Sequence, residues 1–412
     1  MFPALLRSVA RKPATKRLSR LWSSFSVNAS SLRIDAHNAS FPYVWLRDSC
    51  QSSDCVHPST SQKLHRSSDV PLDIKPIPDG VQLTPDGGVR IQWTDGHESF
   101  YDSAFLTRHS SEGRLAEFHK DISPTSWDAS TISAIPELFT EYAALRTEKG
   151  HLDAITQLTR YGLLFVRGVP HEETAHETCE LRALANFFGP IRETFYGGTW
   201  DVKNVKNSKN IAYTNLFLGL HMDLLYMQHP PRYQILHCLR NRVKGGESLF
   251  VDALHTANIM RTSHPAAFET LASTPVSFHY INDGHHLHYE HPTIELGGLP
   301  TASLDERPVS HINYSPPFQA PLPLHSTPPA FYSALKQFAN LLDDPQYEYR
   351  YLLKEGDAVL FDNRRVLHAR MTFEDTEGKE GQTNRWLKGC YLEADAVLDQ
   401  ARVLRTKLGQ QK

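Results

Sequence analysis

Along most of the chain apolar residues come in short unbroken blocks rather than in helical periods. Such blocks stand at Gly162 to Val169, Tyr233 to Leu239, Ser248 to Val251, Val276 to Tyr280, Ala358 to Asp362, Val366 to Met371 and Leu387 to Leu392. Bounded by turn signals, they predict buried strands. Helical spacing appears at Pro136 to Arg146, His151 to Arg160, Thr178 to Phe188 and Pro329 to Leu342. Many short strands with few crossover helices predict a mainly β member of the α+β class, a sandwich or jelly-roll barrel with outer helices. This domain is expected over 130–412. Ahead of it, Ile34, Tyr43 to Leu46, Val89 to Trp93 and Phe100 to Phe105 are strand-like. Asp-Gly turns at Asp79-Gly80, Asp86-Gly87 and Asp95-Gly96 split them, which predicts a small β-rich unit over 31–108. A Ser-rich connection from His109 to Ser133 separates the two.

The first stretch follows neither pattern. No acidic residue precedes Asp35, while Arg7, Arg11, Lys12, Lys16, Arg17 and Arg20 alternate with Leu5, Leu6, Val9, Leu18, Leu21 and Trp22. A basic, Ser-containing, acid-free amphipathic leader predicts a mitochondrial transit peptide over 1–30 and a matrix address. The alternative is a disordered basic tail.

Composition narrows the function classes. A net charge of −3 gives no basic surface for nucleic acid, and no apolar run is long enough to span a bilayer. Five scattered cysteines are not a secreted disulfide framework. The 22 histidines exceed what packing requires and direct attention to metal.

Two of those histidines stand in a pattern with chemical content. On an extended strand, His221 and Asp223 point to one face and can share a metal. His368, at the end of the run Asp357 to His368, would complete a two-histidine, one-carboxylate face. That face leaves positions open for oxygen chemistry at non-haem Fe(II). His285, His286, His288 and His291 are denser, but they follow an Asp-Gly turn signal without a carboxylate at strand spacing. They predict an exposed loop, and His151 and His176 predict solvated helix positions.

The surrounding motifs carry a resemblance. Asn210-Ile-Ala-Tyr-Thr with Leu220 to Asp223, Gln234 to Leu239, Gly245 to Asp252, Phe361 to Arg370 and Arg385 to Tyr391 together resemble the γ-butyrobetaine dioxygenase and trimethyllysine dioxygenase family. These are taurine-dioxygenase-like Fe(II)/2-oxoglutarate oxygenases, and the resemblance runs from Trp45 to the C-terminus. It implies a double-stranded β-helix with iron at its mouth, held by His221, Asp223 and His368. It implies 2-oxoglutarate as co-substrate, ascorbate as accompanying reductant, and Arg385 as the fork on the distal carboxylate. Arg370 is the rival for that role, and Ser248 matches a hydroxyl able to bond the same carboxylate.

A quaternary ammonium has no N–H to donate, so shape and ring faces must select it. Tyr196, Trp200, Tyr213 and Tyr391 look similar to the family's aromatic cage, the alternative being core packing. The family's carboxylate-binding asparagines would be Asn210 and Asn313. γ-Butyrobetaine is the expected small-molecule substrate, trimethyllysine the alternative, and a non-catalytic 2-oxoglutarate sensor the rival of another class.

The N-terminal unit resembles the family's zinc domain through Cys50, Cys55 and His97. Ser52 stands where a further cysteine belongs, and a protonated hydroxyl is a poor zinc ligand. The alternative is a metal-free domain kept for stability or homodimer contacts.

Overall fold

The computed structural model describes residues 24–204, 211–374 and 384–410. Most of the expected leader and the expected site residue Asn210 lie outside the described residues. The chain divides into two compact units, Met1–Asp121 and Ile122–Lys412.

The first unit holds two three-stranded antiparallel sheets. Phe25–Val27, Ser31–Ile34 and Ala39–Pro42 form one; Pro76–Leu83, Val89–Trp93 and Glu98–Tyr101 form the other. Val89, Ile91 and Trp93 alternate inward onto Leu32, Phe41, Leu46 and Tyr101. Phe25–Val27, counted above with the leader, is an edge strand of this unit.

Local chemistry explains where the expected strands fail. Tyr43 to Leu46 lies in the helix Tyr43–Asp48, whose buried residues Tyr43 and Leu46 are three apart and share one face. Phe100 to Phe105 is divided, because Asp102 accepts from the Phe105 N–H at 2.6 Å and caps the helix Ser103–Arg108. Asp79, at φ +58°, marks a register shift inside Pro76–Leu83 rather than a turn between strands. The Ser-rich connection carries the helices Glu112–His119 and Ala129–Ser133, capped by Ser111 and Asp128.

The second unit is a double-stranded β-helix. Its larger sheet has seven strands, in the order Trp200–Lys203, Arg385–Leu392, Tyr233–Asn241, Ala358–Asp362, Leu163–Arg167 and Phe139–Glu141, with Ile191–Arg192 pairing to Arg385–Leu392. The smaller runs Leu218–His221, Val366–Arg370, Ser248–Asp252 and Glu348–Tyr351. Ala358–Asp362 and Val366–Arg370 are buried at every residue, which is why their sequences show unbroken apolar runs rather than alternation. The helices Glu148–Tyr161 and Ala394–Gln410 pack against each other.

Pro136 to Arg146 is not a helix. Two 3-10 turns flank the strand Phe139–Glu141, and Phe139 stacks on Phe165 with ring centroids 5.0 Å apart. Ring burial outweighs the local helical spacing there. Among the described residues no helix is long and apolar enough to cross a membrane.

Candidate active site

The two sheets of the second unit enclose a cavity lined from both sides. Gln234, Leu236, Leu387 and Tyr391 come from the larger sheet, and His221, Ser248, Phe250, His368 and Arg370 from the smaller. His221 ends its strand, Asp223 sits in the bend that follows, and His368 lies opposite His221 in register. The ligand atoms of all three lie within 4.8 Å of one another. His221 Nε2 is 3.5 Å from Asp223 Oδ1, and the two imidazole centroids are 4.2 Å apart.

Each group is held from behind. His221 Nδ1 donates to the Gly219 carbonyl at 2.8 Å, which leaves Nε2 free to bind. The Tyr391 hydroxyl donates to Asp223 Oδ2 at 2.8 Å. Fully buried Asn363 clamps the Asp223 backbone, accepting from its N–H at 2.8 Å and donating to its carbonyl at 3.0 Å. The next residue, Leu224, is left-handed at φ +63°, a conformation that costs a branched side chain energy and needs such a clamp. Burial opposes ionisation of Asp223, but the His221 hydrogen bond and the charges of both histidines hold its carboxyl well below the usual range. Burial pushes His368 down to about 3, with His221 adding to the shift. Two imidazoles beside one carboxylate are the donor set that a first-row divalent metal accepts, so the residues present fit iron.

The far end of the cavity is cationic. Arg385 is buried, has no acidic partner among the described residues, and burial pushes its guanidinium down to about 10. Its Nε has no hydrogen-bond partner. Gly246, at φ +76°, makes room for it: an added Cβ would lie 3.2 Å from that Nε. Ser248 lines the same cavity, opposite Arg370 in register. Arg370 is committed to the carbonyls of Ala212 and Leu216. A buried guanidinium with no acidic partner among the described residues, lining the same cavity as a serine hydroxyl, is a site for a carboxylate.

The remaining wall is aromatic. Tyr196, Trp200, Tyr213 and Tyr391 all line the cavity. Trp200 stacks on Tyr391 at 4.2 Å, lying flat over Gly389, where any Cβ would sit 2.6 Å from the indole. Tyr226 and Phe318 complete the wall with centroids 5.3 Å apart.

Other expected residues stand elsewhere. Asn313 is not among the residues lining the cavity. It donates to the Pro292 carbonyl and accepts from Arg364 at 2.9 Å, which makes it part of a buried structural network. The histidine cluster is no loop: His285–Pro292 is a strand paired with Pro275–Asn282. There His288 bonds Ser277, and buried His291 bonds the Met227 carbonyl. His151 is partly buried against the Phe187 carbonyl, and His176 bonds Thr199 at 2.9 Å. Sequence reading passed over Asn363, Tyr226, Phe318 and Gln234, the last a buried amide on the cavity wall whose Oε1 has no partner. Gln234 could have been found as a lone polar residue in an otherwise apolar block, whereas Asn363 is masked by the charged Asp362, Arg364 and Arg365 around it. Tyr226 and Phe318 carry no such signal.

In the first unit Cys50, Cys55 and His97 also converge. His97 Nε2 lies 3.2 Å from Cys50 Sγ and 3.5 Å from Cys55 Sγ. Ser52 Oγ is 3.4 Å from Cys50 Sγ, so the hydroxyl stands at the edge of the cluster. His57 is turned to Ser59. Two thiols and an imidazole suit zinc as a donor set.

Known proteins share these features. The sequence profile of the taurine catabolism dioxygenase TauD, TfdA family matches residues 130–391. That of the gamma-butyrobetaine hydroxylase-like N-terminal region matches 28–107. The chain is 53% identical to "Dioxygenase str8" of Strobilurus tenacellus, over 93% of this chain and 89% of that protein. It is 31% identical to the gamma-butyrobetaine dioxygenase of Pseudomonas sp. (strain AK-1), over 93% and 95%. It is 32% identical to the mitochondrial trimethyllysine dioxygenase of Homo sapiens, over 88% and 82%.

Proposed function

The chain belongs to the taurine catabolism dioxygenase TauD, TfdA family and is a 2-oxoglutarate-dependent dioxygenase, and on that footing we propose that it hydroxylates a small trimethylammonium acid, γ-butyrobetaine, to L-carnitine. The observation that carries this reading is the aromatic wall. Tyr196, Trp200, Tyr213 and Tyr226 line the cavity beside Asp223, and among the described lining residues Asp223 is the only carboxylate. A site for an ordinary ammonium would use carboxylates; ring faces suit a cation with no N–H. Relatives named gamma-butyrobetaine dioxygenase support the choice.

In this reading His221, Asp223 and His368 hold Fe(II), and Arg385 with Ser248 binds the distal carboxylate of 2-oxoglutarate. The iron, when bound, supplies the oxygen chemistry that couples decarboxylation of 2-oxoglutarate to succinate with hydroxylation of a C–H bond. The protein's own part is positioning. Gly219 fixes the His221 tautomer, while Tyr391 and Asn363 fix Asp223. The ring wall holds the trimethylammonium so that a chain carbon faces the metal. Ascorbate would keep the iron reduced. Trimethyllysine is the second reading, favoured by the relative of that name. Mass spectrometry of each compound after incubation with the enzyme decides: hydroxylation of γ-butyrobetaine ahead of trimethyllysine supports the first, the reverse order the second.

Two further parts of the reading concern the N-terminus. Cys50, Cys55 and His97 bind zinc, with Ser52 or water in the fourth position. The basic leader directs mitochondrial import, with cleavage near Trp22 to Phe25. A tagged protein that stays cytosolic with Met1 intact contradicts the second.

A further inference from the structure

Arg370 lies two residues past His368 on Val366–Arg370, with Leu218 and Ser248 opposite it on either side. Its Nη1 donates to the Ala212 carbonyl at 3.0 Å and its Nη2 to the Leu216 carbonyl at 2.7 Å. Those two carbonyls bracket Tyr213, which ends the 3-10 turn Ile211–Tyr213 and lines the cavity. The segment buries little of itself, since Ile211, Asn215, Leu216 and Phe217 are all exposed. Thr214 bonds back to Ile211, and the Phe373 N–H reaches the Asn215 carbonyl at 3.3 Å.

A buried guanidinium bonded to neutral carbonyls, with no acidic partner among the described residues, is costly to maintain. The fork shape explains its use: two donors in a fixed plane reach two carbonyls four residues apart, which an ammonium cannot do with one geometry. We propose that Arg370 is a positioning residue, a strut that fixes Tyr213 relative to the metal-binding strand and so sets affinity for the quaternary ammonium. This rests on the function proposed above only for the identity of the cation. Arg370 and Arg385 thus divide the work, one shaping the cage and the other binding the co-substrate.

The test uses the full-length protein with Arg370→Gln, Arg370→Lys, Tyr213→Ala and the double variant Arg370→Gln/Tyr213→Ala. Hydrogen exchange in peptides covering 211–218 should speed up in both Arg370 variants, since lysine keeps the charge but not the fork. KM for γ-butyrobetaine should rise about tenfold in Arg370→Gln, by a larger factor than KM for 2-oxoglutarate. In the Tyr213→Ala background the same change should add less than about twofold, because the strut then has nothing to position. Unchanged exchange, a larger effect on 2-oxoglutarate than on the amine, or additive losses would each overturn the proposal. If the unmodified enzyme hydroxylates no quaternary amine, the proposed function fails by itself. The exchange measurement then decides the strut alone.

Discussion

Each unit of this protein gathers three metal-ligating side chains, yet the two clusters are built to different standards. Around His221, Asp223 and His368, the Gly219 carbonyl, the Tyr391 hydroxyl and the Asn363 carboxamide hold ligands from behind. The open side faces a cavity that ends in an unpaired arginine. Around Cys50, Cys55 and His97 no fourth histidine, cysteine or carboxylate joins the cluster among the described residues, and the Ser52 hydroxyl lies 3.4 Å from Cys50 Sγ. Three ligands are enough in the first case because the chemistry needs vacant positions. In the second they leave a structural site one ligand short, and a structural metal contributes stability through complete, closed coordination. The same ligand count therefore has opposite meanings in the two units.

Removing a ligand from the catalytic cluster should have the largest effect. Asp223→Ala is expected to abolish 2-oxoglutarate decarboxylation, read as succinate release, while circular dichroism stays that of the folded protein. Retained turnover would mean the metal is held elsewhere. Next comes the arginine at the far end. Hydrogen bonds to charged groups contribute about 1.5–3 kcal/mol each, so Arg385→Ala should raise the 2-oxoglutarate requirement roughly a hundredfold. An effect of that size in Arg370→Ala instead would reverse the roles given to the two arginines. Trp200→Ala removes the richest ring face. Cation–π contacts contribute about 1–2 kcal/mol when desolvated, so amine binding should weaken about tenfold. Equal loss with an uncharged isostere would reduce the wall to plain packing. The smallest effect on activity belongs to the N-terminal cluster. Ser52→Cys should supply the missing thiolate, raise zinc retention during dialysis against a chelator, and raise the melting temperature. No zinc in either form, by elemental analysis, would make that unit metal-free.

Sequence reading reached different depths in different parts. The catalytic strands were legible because buried sheet strands carry unbroken apolar runs, and Ala358 to Asp362 matches its strand residue for residue. The triad was legible because the motifs around it, taken in order, resemble a family that holds iron there; a His-x-Asp pair alone occurs by chance. Asn313 was not, since a buried amide that meets Arg364 leaves the same trace in sequence as one that meets a ligand. His285 to His291 read as a loop because the stretch follows the Asp283-Gly284 turn signal. Yet period-two burial at its end, with His291 inside, makes it a strand. The short helix Ser103–Arg108 was hidden for a simpler reason: one aspartate cap divides an apolar run that otherwise reads as continuous. Tyr226 joins the ring wall only through tertiary contacts with Tyr280 and Phe318, which no local pattern records.

The most direct measurement of the central claim incubates the enzyme with Fe(II), 2-oxoglutarate and ascorbate. It compares γ-butyrobetaine with 5,5-dimethylhexanoate, the neutral isostere in which carbon replaces the quaternary nitrogen. Hydroxylated product and succinate are followed together by mass spectrometry. The account predicts hydroxylation of γ-butyrobetaine in step with succinate, and about tenfold or greater preference over the isostere. Equal turnover of the two compounds, or succinate release with neither hydroxylated, would contradict it.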